Sequence, residues 1–220
     1  MINKEFKNRL ITSLCLFLLL FLMYTYNYIL VISLILIGSI TFFEFNNLIK
    51  KILEKKKYYF MIYFYKLLFL IYMSFLIYLI ILPRIQNNIP EILVIYPLLI
   101  SIISDVGGII TGKIFKGKKL IKRISPNKTI SGSIGSLFFS LILAFFFLQF
   151  FQEISILTFL FITLIISIIS QIGDLSVSYL KRKAKIKDTG NLLPGHGGFL
   201  DRIDGIIFAI PVGFLLLNIF

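Results

Sequence analysis

The chain has 220 residues, 58% of them hydrophobic, and a mean hydropathy of +0.95. A soluble core of this length cannot bury that much apolar material, and the long Ile, Leu and Phe runs suit bilayer-spanning helices, so a soluble globular protein is excluded. One cysteine, Cys15, excludes a disulfide framework and a thiolate metal centre, and the net charge of +13 must be explained by where 23 Lys and Arg stand.

The N-terminus, MINKEFKNRL, leads into the apolar run ITSLCLFLLLFLMYTYNY. The order is that of a signal peptide, but no small-residue cleavage site follows and the run ends in Tyr24, Tyr26 and Tyr28, so it reads as a retained first span. Cys15 inside it reads as packing. Hydrophobic runs predict seven spans, at about 10–26, 28–44, 58–82, 91–112, 134–151, 154–173 and 203–220. The predicted fold class is all-α, a polytopic integral membrane helical bundle of about seven transmembrane helices.

The charges orient it. With the N-terminus cytoplasmic, the cytoplasmic segments hold Lys4, Lys7 and Arg9, five lysines from Lys50 to Lys57, seven basic residues from Lys113 to Lys128 and six from Lys181 to Arg202, which is 21 of the 23. Only Arg84 falls on the outer side, and only Lys66 lies within a span, from which it can snorkel to the inner interface. So lopsided a split follows the positive-inside rule and makes the net charge a statement about topology, with no nucleic acid implied as a partner. Lys50 to Lys57 read as orientation and contact with anionic lipid headgroups. Both acidic clusters fall on the cytoplasmic side, where nucleotides and magnesium are found. No repeat of 20 to 50 residues, low-complexity linker or soluble domain is visible, so residues 1–220 read as one integral membrane domain.

The first polar constellation is SDVGGIITGKIFKGKKLIKRISPNKTISGS. Asp105 falls inside an apolar run ahead of Gly107, Gly108 and Gly112, and an ionisable residue within a span is a functional hypothesis by default. Ser125, Pro126, Asn127, Lys128 and Thr129, followed by Gly132, put hydroxyls, an amide and a cation at a span entrance. Phosphate or headgroup binding and simple capping of the fifth helix by Thr129 or Ser131 are both open.

The second is GDLSVSYLKRKAKIKDTGNLLPGHGGFLDRID, from Gly173 to Asp204, which holds four of the five aspartates and the only histidine. Asp174, Ser178, Lys181 and Arg182 lie at offsets of zero, four, seven and eight, along one helix face. Lys187, Asp188, Thr189 and Gly190 precede a turn-rich piece whose Pro194, Gly195, Gly197 and Gly198 suit a tight backbone approach to a ligand. Asp201 and Asp204 come at the start of the last span, where carboxylates also serve a helix N-terminus, an even choice for Asp204. Asp174 and Asp201 brought to one polar pocket would repel unless cations stand between them; oxygen ligands without cysteine or a histidine cluster point to Mg²⁺. Lys181, Arg182, Lys187 and Arg202 then suit phosphate. His196 is either a helper donor to phosphate or a structural turn residue.

These residues carry a resemblance. Ser178, Lys181-Arg182, Lys187-Asp188, Gly190, Pro194-Gly195-His196-Gly197-Gly198, Asp201-Arg202 and Asp204 resemble the signature of the phosphatidate cytidylyltransferase (CDP-diacylglycerol synthase) family. The segments Asp105 to Gly112 and Ser125 to Gly132 resemble its secondary motifs, so the likeness covers roughly the C-terminal 120 residues. The family usually has Glu or Gln where this chain has Ser131, and its members are usually longer.

The resemblance implies a nucleotidyltransferase that converts CTP and phosphatidate to CDP-diacylglycerol and pyrophosphate for phospholipid synthesis. It implies catalytic spans within 91–220, served by polar loops 113–133 and 174–202, behind N-terminal spans in 1–90. Asp174 and Asp201 would be the metal ligands, joined by Asp204, for Mg²⁺ with room for a second cation. Catalytic roles would fall to Asp174, Asp201, Lys181, Arg182 and Ser178. Substrate binding would fall to Lys128, Ser125, Thr129, Lys187, Asp188, Gly195, His196, Gly197, Gly198, Arg202 and Asp105. The expected setting is the inner (plasma) membrane, with membrane lipid around the chain, the site facing the cytoplasm and a homodimer as the assembly. Two other readings stay open: a CTP-using relative acting on a polyprenol or ether-linked phosphatidate, and a small transporter, for which internal symmetry and midplane polar groups are lacking apart from Asp105.

Overall fold

The computed structural model describes residues 4–53, 58–190, 192 and 197–219. In chain order these form α1 (Lys4–Thr25), α2 (Asn27–Leu53), α3 (Tyr59–Ile85), α4 (Ile92–Phe115), β1 (Lys119–Ile121), β2 (Ser125–Thr129), α5 (Ile130–Phe147), α6 (Ile156–Lys183), α7 (Leu200–Ile203) and α8 (Ile206–Ile219). Six helical segments among the described residues are long and apolar enough to cross a bilayer, and Ile11–Thr25 of α1 adds a shorter apolar stretch. The expected helical membrane protein of seven segments is what the chain forms. Phe17, Phe60, Phe146 and Leu157 stand exposed, as lipid-facing side chains do.

The described residues group into two compact units. The first takes residues 1–84 and 180–202. Its first apolar cluster is built on Met23, Leu30 and Leu34, with Ile77, Ile80 and Ile81 of α3 packed against it. A second joins Leu48, Ile49, Ile62 and Ala184, with Ile186 against them. Arg84 donates to the Tyr24 carbonyl at 2.7 Å and its guanidinium lies over the Tyr24 ring, 5.5 Å from the centroid. Lys66 sits over Tyr63, 5.1 Å from the ring centre.

The end of α6 explains how the chain turns into the signature loop. Lys185 takes a left-handed φ of 58°, Ile186 N–H donates to the Lys181 carbonyl at 3.0 Å, and Lys185 N–H donates to the Arg182 carbonyl at 3.1 Å. This is a Schellman closure with a lysine where glycine is usual, and Ile186 completes it by entering the apolar cluster beside Ala184.

The second unit takes residues 85–179 and 203–220. Helices α4 and α5 pack through small residues: a Cβ on Gly108 would come 2.6 Å from Ser136 Oγ, and one on Gly132 would come 2.8 Å from the Gly108 carbonyl oxygen. Hydroxyls tie α4 to α6, with Ser101 Oγ 2.7 Å from Ser170 Oγ, Ser104 Oγ 3.0 Å from Ser167 Oγ, and the Tyr96 hydroxyl bonded to Thr163, all buried. In lipid a buried polar group needs such a partner, and each pair supplies one.

The 113–133 segment holds more structure than the expected polar loop. α4 runs to Phe115 and ends as Lys116 turns left-handed at φ 43°, and β1 then pairs antiparallel with β2, Lys119 opposite Thr129 and Ile121 opposite Ser125. α5 begins at Ile130, four residues before the expected span, because Thr129 takes an extended backbone and its hydroxyl accepts from Gly132 N–H at 3.0 Å. The choice between Thr129 and Ser131 as cap therefore falls to Thr129. Ser131 instead accepts from Gly117 N–H at 3.2 Å and lies 3.1 Å from the Thr129 hydroxyl, so it fastens the entry to the hairpin.

Candidate functional site

In the second unit a cavity of about 830 Å³ opens among α4, the hairpin, α5 and α6. Asp105 and Gly112 from α4, Ser125, Lys128 and Thr129 from β2, and Asp174 from α6 all line it. Sequence reasoning named each of these from two separate motifs, and the fold brings them to one wall. The small-residue seam explains the opening: glycines at 108, 112 and 132 leave no side chain at the places where α4 and α5 meet it.

Asp174 is held on both oxygens. Ser178, one turn further along α6, donates to Oδ1 at 3.2 Å, as the offset of four predicts, and the Lys128 ammonium pairs with Oδ2. Lys128 and Asp174 are each partly open to solvent, at 30% and 20% of their side-chain area. Their ion pair is therefore reachable by a ligand and only partly shielded from solvent. Lys113, Lys116 and Lys119 add cationic lining. Gln171 and Ser133, which no motif flagged, join α6 to α5 on the same wall through the Ser133 hydroxyl and the Gln171 carbonyl oxygen.

In the first unit Asp201 is the centre. Oδ1 accepts from the Lys181 ammonium at 2.6 Å; Oδ2 accepts from Thr189 N–H at 2.8 Å and Gly198 N–H at 3.1 Å and lies 3.0 Å from the Thr189 hydroxyl. Lys181 and Asp201 keep only 12% and 8% of their side-chain area exposed, so this pair is drier than the one at Asp174. Gly197 takes φ +80°, a conformation that suits glycine, and a Cβ there would meet Asp188 and Asp201.

Arg182, Lys187, Asp188 and Arg202 lie exposed on the same unit. Arg182 Nη1 reaches the Ile186 carbonyl at 3.5 Å. Gly195 and His196, named as candidates above, lie outside the described residues, as does Pro194. Asp204 is buried in the second unit, in the two-residue turn between α7 and α8, where its Oδ1 accepts from Gly205 N–H at 2.9 Å. Among the described residues no three of the histidine, cysteine, aspartate and glutamate side chains gather as a metal cluster. Each of Asp174 and Asp201 instead pairs with a lysine; their carboxylate oxygens are hard donors of the type that suits Mg²⁺ where phosphates supply its remaining ligands.

Sequence reasoning passed over Glu44. It lies in α2, 4% exposed, and accepts from Phe199 N–H at 3.0 Å on Oε1 and from Leu200 N–H at 2.8 Å on Oε2, with the Thr189 hydroxyl 2.9 Å from Oε2. The signal that could have found it is the one that found Asp105: a carboxylate set in an apolar run, here FFEF.

The model of the cytidylyltransferase family matches residues 1–220. A protein named phosphatidate cytidylyltransferase from Staphylococcus aureus (strain COL) is 46% identical over 129 residues, covering 57% of this chain and 47% of that protein. Those of the same name from Staphylococcus haemolyticus and Bacillus subtilis (strain 168) are each 44% identical, over 129 and 118 residues, covering 57% and 53% of this chain and 47% and 44% of theirs. The chain spans about half the length of the curated relatives it matches.

Proposed function

The chain belongs to the cytidylyltransferase family, and on that footing we propose that it transfers CMP from CTP to phosphatidate, releasing pyrophosphate and forming CDP-diacylglycerol. The relatives named above carry that activity in their names. The observation that carries the reading here is that the two aspartates expected to be metal ligands are each paired with a lysine, Asp174 with Lys128 and Asp201 with Lys181.

The chemistry fits such a pairing. The lipid phosphate is already anionic near neutral pH, so its oxygen can attack the α-phosphorus without a general base. One phosphorus–oxygen bond forms as the bond from the α-phosphorus to the bridging oxygen breaks, and pyrophosphate leaves with that electron pair. The barrier is the approach of one anion to another, so positioning and neutralisation carry the catalysis. Lys128 and Lys181 each hold a primary ammonium that can donate to phosphate oxygens, and Arg182, Lys187 and Arg202 add exposed cations. Asp174 and Asp201 are each proposed as magnesium ligands, with Asp204 buried nearby in sequence and Ser178 orienting Asp174. When bound, Mg²⁺ would neutralise triphosphate charge and align the displacement. The cavity beside Asp105, Ser125, Lys128 and Thr129 is assigned to substrate.

The protein is an integral membrane protein; the plasma membrane, a cytoplasm-facing site and a homodimer are part of the proposal. The lipid tail is the open choice, because apolar walls look alike whatever chain faces them, and a polyprenol or ether-linked phosphatidate is the second reading. The purified chain should be given CTP, Mg²⁺ and a panel of phosphorylated lipids. Phosphatidate should become cytidylylated and Asp201→Asn should abolish it while insertion stays intact; near-normal turnover by that variant would sink the assignment.

A further inference from the structure

We infer that Glu44 is a positioning residue for the proposed reaction: from α2 it holds the signature loop in the shape that presents the Asp201 carboxylate. This rests on the functional reading above and extends it to a residue outside the signature.

The geometry is specific. Glu44 is buried, and its hydrogen-bond partners among the described residues come from the signature loop, 145 to 156 residues further along the chain. Oε1 takes Phe199 N–H and Oε2 takes Leu200 N–H, the two amides that lead directly into Asp201. The Thr189 hydroxyl lies 2.9 Å from Glu44 Oε2 and 3.0 Å from Asp201 Oδ2. A hydroxyl has one proton, so Thr189 bridges the two carboxylates and donates to one of them at a time. Glu44 thereby touches the loop on both sides of the Asp201 shell: at Thr189, whose own N–H binds Asp201, and at Phe199, next to Gly198, whose N–H also binds Asp201.

Two glycines admit this anchor. A Cβ on Gly190 would come 2.5 Å from Glu44 Oε1, and one on Gly198 would come 2.6 Å from Oε2. Glycine at these positions leaves the room that the Glu44 carboxylate occupies. Both belong to the signature stretch, and Gly198 is one of the turn glycines whose sequence suits the approach of a ligand. A carboxylate that fixes a ligand-bearing segment through hydrogen bonds is the outer shell on which ligand orientation depends.

Glu44→Gln tests this with little change of shape. It keeps one acceptor and turns the other oxygen into an amide donor facing N–H or hydroxyl donors. Thr189→Val breaks the bridge alone. The full chain in lipid nanodiscs is compared by hydrogen exchange over residues 187–201, by thermal midpoint, and by the CTP and Mg²⁺ dependence of turnover with phosphatidate. A positioning role predicts faster exchange at the Phe199 and Leu200 amides in Glu44→Gln. It also predicts a rise of roughly 10- to 100-fold in the Mg²⁺ concentration for half-maximal rate, with a midpoint near that of the wild type. Thr189→Val should move the same Mg²⁺ constant in the same direction. Unchanged exchange, or a fall in folded yield with Mg²⁺ and CTP constants unmoved, would overturn the role. Should the wild type turn over no CTP, the functional reading falls, and the exchange comparison alone decides whether Glu44 holds the loop.

Discussion

Glycine at position 198 is imposed by its surroundings more than by its own backbone. Its N–H serves Asp201, and a Cβ would come 2.6 Å from Glu44 Oε2 and 2.7 Å from Gly190 N. Gly198→Ala should therefore force these groups apart at a cost of about 1–3 kcal/mol. Denaturant unfolding in mixed micelles measures that, and CTP turnover should fall with it. Lys185 is the opposite case: a lysine held at φ 58° where the helix closure prefers glycine. Lys185→Gly removes the Cβ conflict and should raise stability by about 1 kcal/mol in the same unfolding experiment. A loss of stability would mean that the closure does not govern the end of α6.

At the scale of elements, the start of α5 depends on one hydroxyl. Thr129→Ala removes the acceptor for Gly132 N–H and should cost about 1 kcal/mol, read as a lowered unfolding midpoint, whereas Thr129→Ser should retain most of it. The seam between α4 and α5 is less forgiving. Gly132→Ala sets a Cβ 2.8 Å from a backbone oxygen that cannot rotate away, so it should both destabilise the pair and narrow the adjoining cavity. The helices themselves were legible because apolar runs of span length have few other outcomes, and the Asp174–Ser178 contact was legible because it is local to one helix. The hairpin was not: a three-residue strand, Lys119–Ile121, carries no alternation long enough to read. Glu44 was missed for a different reason. The carboxylate in FFEF was visible in the sequence, but its partners lie 145 residues or more away, and no local pattern announces a contact that only tertiary folding creates. Lys128 and Asp174, from separate motifs, were each flagged by chemical type, but their pairing was visible only once β2 and α6 were placed in one unit.

For the whole molecule, charge placement predicts the side on which each end lies. Seven crossings with a cytoplasmic N-terminus put the C-terminus on the outer side, so a C-terminal reporter that fluoresces only in the cytosol should stay dark. A bright reporter would mean an even number of crossings or a reversed orientation, with α1 the first helix to re-examine because its apolar stretch, Ile11–Thr25, is the shortest among the described residues. The central claim is a transfer of CMP, and isotope position tests it most directly. With phosphatidate, Mg²⁺ and the purified chain, CTP labelled at the α-phosphate should deliver its label to an organic-soluble lipid, and CTP labelled at the γ-phosphate should deliver it to free pyrophosphate in equal amount. Label from the γ-phosphate in the lipid, or no label in lipid from either, would contradict the account.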